Sequence, residues 1–198
     1  QQRYSQSIKT EYQDIWGWSV NNVEKFWSLM WDFSEIKGSK GTKISENIGL
    51  MPGARFFPDA KLNYAENLLR AADNAIAIEE FREDGFSNAL TRKELESKAL
   101  KMAGWMKSKG VKKGDRVCAY MPNCSETVIS MLATSALGAI FSSCSSDFGI
   151  EGVIDRFEQI EPKIMIATDG YLYNGKVIDR SEEIKKISKR LPSLEHII

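Results

Sequence analysis

The stretch Gly138-Ala-Ile-Phe-Ser-Ser-Cys-Ser-Ser-Asp-Phe-Gly149 reads as a short apolar strand that empties into a loop of small residues, with a helix beginning near Gly149. In an open α/β sheet such a junction lies at the carboxyl edge of the strands, where ligands bind. The same alternation extends to both sides. Arg116 to Tyr120 is a strand, the Pro122-Asn-Cys-Ser turn leads to a helix from about Glu126 to Leu137, and Gly138 closes it. Ala139 to Ser143 is the next strand, followed by a helix from Ile150 to Ile160 that Glu161-Pro162 stops. Lys163 to Ala167 is another strand. A loop through Asn174-Gly175 then precedes a helix from about Arg180 to Leu191, ended by Pro192, and Glu195 to Ile198 opens a further strand. Successive βαβ units predict parallel strands, right-handed crossovers and helices on the sheet faces. The expected fold class is α/β, a partial doubly wound, mainly parallel sheet with flanking helices, preceded by a small helical N-terminal extension.

Upstream, Ser19 can cap a helix over 19–34, whose apolar face (Val20, Val23, Phe26, Trp27, Met30, Trp31, Phe33) is a packing surface by its spacing. Trp16 and Trp18 are expected to dock the N-terminal arm. Lys37-Gly-Ser-Lys-Gly-Thr-Lys43 imitates a phosphate cradle, but it follows a helix instead of joining strand to helix, so a mobile, solvated loop is expected. Asn63-Tyr-Ala-Glu66 predicts a variant capping box opening a helix to about Ala72. Ala75 to Ile78 and Phe86 to Leu90 flank a Glu83-Asp84-Gly85 turn, a hairpin pattern. Thr91-Arg-Lys-Glu94 is a second capping box, starting a helix to Lys109 with Leu95, Leu100, Met102, Ala103 and Met106 inward and Gly110 as its left-handed cap.

Composition narrows the function. The 198 residues carry 27 basic and 27 acidic side chains, so no net charge argues for nucleic acid or an acidic membrane. Lys112-Lys113 and Lys185-Lys186 read as solvated faces, and no apolar run approaches bilayer-spanning length. Three cysteines without a C-x-x-C pair, and no leader pattern from Gln1 to Ser5, point to reduced thiols in a reducing compartment; cytoplasm or an organelle matrix fits, and a cytoplasmic location is expected. The single histidine, His196, excludes histidine triads and multi-histidine metal sites, leaving Lys, Arg, carboxylates and backbone groups for any catalysis. No metal ligands are assigned.

The loops Met121 to Ser125, Cys144 to Gly149 and Thr168 to Lys176 are the candidates for a ligand crevice. Small residues at 142–146 let a narrow chain such as a pantetheine arm approach the backbone, while Ser145, Ser146 or Asp147 can equally cap the following helix. Tyr173-Asn174-Gly175-Lys176 is either a plain turn or a binding element with an aromatic face, an amide, a permissive glycine and a cation for a phosphate. Cys144 reads as a buried, inert thiol rather than a nucleophile.

Leu62-Asn-Tyr-Ala-Glu-Asn-Leu-Leu69, Gly110-Val-Lys-Lys-Gly-Asp-Arg-Val117, Met121-Pro-Asn123, the Gly138–Gly149 stretch, Asp155-Arg-Phe157 with Gln159-Ile-Glu-Pro162, and Tyr173–Lys176 together resemble the acetoacetyl-CoA synthetase family. That family belongs to the acyl-adenylate-forming superfamily, close to acetyl-CoA synthetases. The likeness runs from about Trp16 to Ile198. The family usually has Trp at the place of Phe141 and Pro at that of Ser146.

The resemblance implies an acid-thiol ligase: acetoacetate is activated with ATP and Mg²⁺ to an acyl-adenylate and passed to coenzyme A. Coenzyme A contacts are carried over onto Tyr173, Asn174, Gly175 and Lys176, which match an Arg-Ala-Gly-Arg loop of the acetyl-CoA relatives, and onto Asp147 in the loop bordering the pantetheine tunnel. The chain is expected to be an N-terminal fragment, with 1–64 as the N-terminal extension and 65–198 as the first part of the large AMP-binding domain. It breaks off inside a strand at Ile198, and the family's phosphate loop and catalytic lysine have no counterpart in it. The isolated chain is therefore expected to be inactive and to partner the remainder of its own chain. Two alternatives stand: a ligase for acetate, propionate or another short acid, and a non-catalytic module that binds coenzyme A or a partner protein.

Overall fold

The computed structural model describes residues 11–198; the leader reading of Gln1 to Ser5 lies outside the described residues. Two compact units meet in sequence at Leu62 and Asn63.

The first unit holds α1 (Tyr12–Asn21), α2 (Val23–Phe33) and four two-residue strands, β1 (Gly38–Ser39), β2 (Ser45–Glu46), β3 (Arg55–Phe56) and β4 (Lys61–Leu62). The expected helix over 19–34 is thus divided. Asn21 and Asn22 turn their side-chain amides back onto the carbonyls of Gly17 and Trp18, and Asn22 leaves helical geometry (φ −132°, ψ 51°). Such local bonds compete with continued helix. Ser19 does not cap; its hydroxyl bonds to the Trp16 carbonyl inside α1. The α2 face packs Trp27 against Phe56 and Trp31 against Phe57, whereas Val20 and Phe33 are exposed, the first beyond the break and the second in the last turn.

The expected mobile loop is also corrected. Antiparallel pairing of β1 with β4 holds it, and the Lys40 ammonium bonds to the Ser28 carbonyl, the Ser28 hydroxyl and Asp32. Its glycines serve this close approach. A Cβ on Gly41, where φ is +77°, would lie 2.7 Å from the Asp59 side chain.

The second unit runs α3 (Tyr64–Leu68), β5 (Ile76–Phe81), β6 (Ser87–Thr91), α4 (Arg92–Ser108), β7 (Arg116–Tyr120), α5 (Ser125–Ala136), β8 (Ile140–Cys144), α6 (Ile150–Phe157), a 3₁₀ turn (Glu158–Ile160), β9 (Ile164–Ala167), β10 (Gly170–Tyr173), β11 (Lys176–Asp179), α7 (Ser181–Arg190) and β12 (His196–Ile197). Four parallel strands form the sheet in the order β12-β9-β7-β8. Val117 and Ala119 of β7, with Ile164 and Ile166 of β9, face α4 and α5 through Ala103, Met106 and Ala133. Cys118, Tyr120 and Met165 face the opposite way, onto Val153, Ile154 and Phe157 of α6 and Ile187 of α7. Strands apolar on both faces, covered by helices on both, make the doubly wound α/β architecture the alternation predicts.

Local signals account for the helix ends. Thr91 and Glu94 form the full reciprocal box, and Gly110 (φ +76°) and Gly138 (φ +67°) take the left-handed positions after α4 and α5. Along α4 the buried face is Leu95, Ala99, Ala103 and Met106; Leu100, expected inside, is half exposed because it lies well round the helix from Leu95. Helix α3 stops at Leu68, short of Ala72, and only half its box forms: Asn63 accepts from the Glu66 amide while the return bond is not made. The Asn63 amide group instead donates to the carbonyls of Ser135 and Ala136, so one side chain starts α3 and completes the end of α5.

Candidate functional site

Strands β7 and β9 are neighbours, yet the helix after β7 packs on one sheet face and the helix after β9 on the other. Their carboxyl ends therefore splay the following chain apart, which opens a crevice at this switch point. A cleft of about 1100 Å³ occupies it, lined by Met121–Cys124 after β7, Ala167–Leu172 after β9 and Glu80–Asp84 of the β5–β6 hairpin. Two of the three loops picked from the sequence thus meet there. The Cys144–Gly149 loop does not line this cleft.

That loop is fixed from below. Tyr120, fully buried at the end of β7, lies with its hydroxyl 2.9 Å from the Ser146 carbonyl and 2.7 Å from that of Phe148. The chain closes as a turn, with the Phe148 amide bonding to the Ser145 carbonyl, and helix α6 starts one residue later on Gly149. No side chain caps α6, so the capping reading of Ser145, Ser146 and Asp147 is corrected: their backbone is committed to the turn that Tyr120 anchors. Asp147 is exposed. Cys144 is buried, and burial pushes its thiol up to about 11; burial raises Cys118 and Cys124 as well. A thiol held neutral this firmly is a poor nucleophile.

Tyr173, Asn174, Gly175 and Lys176 form the tip of the β10–β11 hairpin, where the sequence predicts a loop. Asn174 (φ +51°) and Gly175 (φ +71°) occupy the two left-handed positions of the tight turn, and Tyr173 pairs with Lys176 across it. The Tyr173 ring and the Lys176 side chain are exposed, and Lys176 makes no ion pair among the described residues. No hydrogen bond or ion pair joins Asp147 to this turn, which leaves the candidate residues on two separate loops.

Sequence reasoning missed the groups that brace the rim. The Glu80 carboxylate accepts the Ser125 amide at the head of α5, at 3.0 Å. Glu83 accepts the amides of Asn174 and Gly175 at 3.0 and 3.3 Å. At the hairpin base, Arg180 stacks over the Tyr171 ring, donates to its hydroxyl and pairs with Glu183. Only the Tyr-Leu-Tyr-Asn-Gly-Lys-Val-Ile pattern around 171–178 carried a local signal, that of a hairpin with a two-residue turn. The cleft wall is acidic, with Glu80, Glu83, Asp84, Glu126, Asp169 and Asp179 against Arg82. An anionic ligand group is better received on the rim, at the exposed Lys176, than on this wall.

Comparison with known proteins agrees with this architecture. Residues 66–198 match the AMP-binding enzyme family, and residues 12–68 match the acetyl-coenzyme A synthetase N-terminus. The chain is 42% identical over 96% of its length to an acetoacetyl-coenzyme A synthetase of Rhizobium meliloti (strain 1021), covering 29% of that protein. It is 40% identical over 94% of its length to the acetoacetyl-CoA synthetase of Xenopus tropicalis, covering 28%. Among solved structures, acetoacetyl-CoA synthetase from Streptomyces lividans superposes with a TM-score of 0.92 at 33% identity, over 99% of this chain and 31% of that one. The chain thus spans less than a third of the length of the relatives it matches. With the doubly wound sheet, the crevice at its switch point and the match over residues 66–198, the chain belongs to the AMP-binding enzyme family.

Proposed function

We propose that this chain is the N-terminal part of an acid-thiol ligase that activates acetoacetate with ATP, with Mg²⁺ on the nucleotide, and transfers the acyl group to coenzyme A. The carboxylate attacks the α-phosphorus and pyrophosphate leaves; the thiol then attacks the acyl carbonyl and AMP leaves. The observation that carries this reading is the likeness to acetoacetyl-CoA synthetases over nearly the whole chain. Residues 1–64 would be the N-terminal extension and 65–198 the first part of the large domain, in a cytoplasmic enzyme.

Within this chain the Tyr173–Lys176 turn suits the nucleotide end of coenzyme A: an exposed ring for stacking, an ammonium unpaired among the described residues for a phosphate, and a glycine that lets the ligand close to the backbone. Asp147 would stand beside the path of the pantetheine arm. The groups that make and break bonds would come from the remainder of the protein. The test is to express the complete reading frame and measure pyrophosphate release and thioester formation with acetoacetate, acetate and propionate. We expect acetoacetate to be preferred at least tenfold in kcat/KM and the 198 residues alone to form no acyl-adenylate. Preference for another acid would overturn the substrate, and coenzyme A binding without turnover would overturn the ligase.

A further inference from the structure

The β5–β6 hairpin places a carboxylate on backbone amides at two points of the cleft rim, Glu80 on Ser125 and Glu83 on the Asn174–Gly175 turn. The second is unusual in its geometry. Both turn residues are left-handed, so their successive N–H groups converge, and one carboxylate from 91 residues upstream receives one on each oxygen. Converging amides of this kind form an anion seat. We propose that Glu83 is the internal occupant of an anion seat on the Tyr173–Lys176 turn, and that a phosphate of an incoming ligand takes the seat only by displacing it.

Glu83 is presented firmly but held weakly. Its turn is braced by the Arg82–Asp84 ion pair, by Asp84 accepting the Phe86 amide, and by the Arg82 guanidinium lying 4.6 Å from the Phe86 ring centroid. That bracing commits Arg82 to Asp84, so Arg82 does not neutralise Glu83. The Glu83 side chain is exposed and makes no other bond among the described residues, so on release it passes into water without a buried charge being stranded. A phosphate carries more negative charge than a carboxylate. On the same two amides it would also meet Lys176, one residue beyond the turn and unpaired among the described residues. Glu83 thus discriminates: neutral groups compete with it poorly, while a phosphate displaces it, at a cost in affinity equal to the latch.

This inference rests on the reading that a phosphorylated cofactor reaches the turn, and its test separates the two. In the complete protein, Glu83→Gln and Glu83→Ala free the seat. A latch closed about four-fifths of the time lowers apparent affinity roughly fivefold, so the KM for coenzyme A should fall by about that factor with kcat and the KM for ATP unchanged. Glu83→Lys should go further in the same direction. Adenosine 3′,5′-bisphosphate, titrated by calorimetry, should bind the variants about fivefold more tightly than the wild type. A KM for coenzyme A that is unchanged or raised in the Gln and Lys variants overturns the displacement, the raised value marking Glu83 as a brace for the turn. A wild-type protein that binds neither coenzyme A nor the bisphosphate overturns the cofactor reading itself.

Discussion

Replacing Tyr120 by Phe tests whether the loop after β8 is held by one buried hydroxyl. The ring stays, so no cavity opens and the packing against Cys144 and Met165 is kept. What goes is the hydroxyl that bonds to the carbonyls of Ser146 and Phe148, which accept from no other side chain among the described residues. The two acceptors differ. Phe148 is about one-third exposed, so water can replace the phenol there; Ser146 is buried, and its carbonyl is left without a donor. One lost hydrogen bond plus one unsatisfied buried carbonyl comes to about 2 kcal/mol. For a chain of this size that lowers Tm by roughly 4–8 °C. Locally, the Phe148 amide, bonded to the Ser145 carbonyl, should exchange with deuterium about thirtyfold faster, since every 1.4 kcal/mol is tenfold. Amides in the β7–β8 ladder should slow or quicken only with global stability. A variant with wild-type Tm and unchanged exchange at 146–149 would refute the anchoring role.

Four further outcomes follow from the same structure. Thr91→Ala removes the hydroxyl half of the capping box and should cost about 1 kcal/mol in chemical denaturation; the Thr91 bonds also hold the Glu94 carboxyl below its ordinary 4.5, so this contribution is present above that pH and fades as pH falls through the lowered value. Because burial raises the Cys144 thiol from 9.0 to about 11, its neutral form favours the fold: the contribution is complete below pH 9 and lost as pH rises toward 11, of the order of 3 kcal/mol, so Tm flat from pH 8 to 11 would contradict it. Gly41→Ala forces a Cβ to 2.7 Å from Asp59 at a left-handed backbone, and limited proteolysis should then cut the first unit faster while the second resists. Lys176→Ala in the complete protein should raise the KM for coenzyme A about tenfold and spare acetoacetate-dependent pyrophosphate exchange; unchanged coenzyme A saturation would remove Lys176 from the site.

Much of the second unit was legible because its signals are local. After Arg116 at its start, β7 is apolar throughout, as is β9; the helices between them carry their own stops, and glycines mark the left-handed caps. The rim was not legible, because its bonds link residues 45 and 91 positions apart, and nothing in Glu80 or Glu83 distinguishes them from their acidic neighbours. The same holds for Tyr120, which reads as a core residue until its hydroxyl is followed to Ser146 and Phe148. The break at Asn22 failed differently. The apolar spacing continues across it, and only the amide side chains of Asn21 and Asn22 divide the helix.

The Gly110–Val117 segment leads into the amino edge of the sheet, opposite the ligand crevice. In Gly110-Val-Lys-Lys-Gly-Asp-Arg-Val117 the Asp115 carboxylate accepts the Lys112 amide, Gly114 donates to the Gly138 carbonyl, and the Asp115 carbonyl accepts from Ile140. Arg116 donates at 2.6 Å to the Ile160 carbonyl and at 2.9 Å to that of Glu161, which ends the turn before β9. These bonds set the starts of β7, β8 and β9 level with one another, at the amino edge of the sheet. Register fixed there reaches the crevice one strand length away, because each parallel strand delivers its following loop at a height set by where it began. The candidate residues at the opposite edge, Lys176 and Tyr173, carry exposed groups that the fold leaves free for binding, and Glu83, on the amides beside them, sets the threshold for entry.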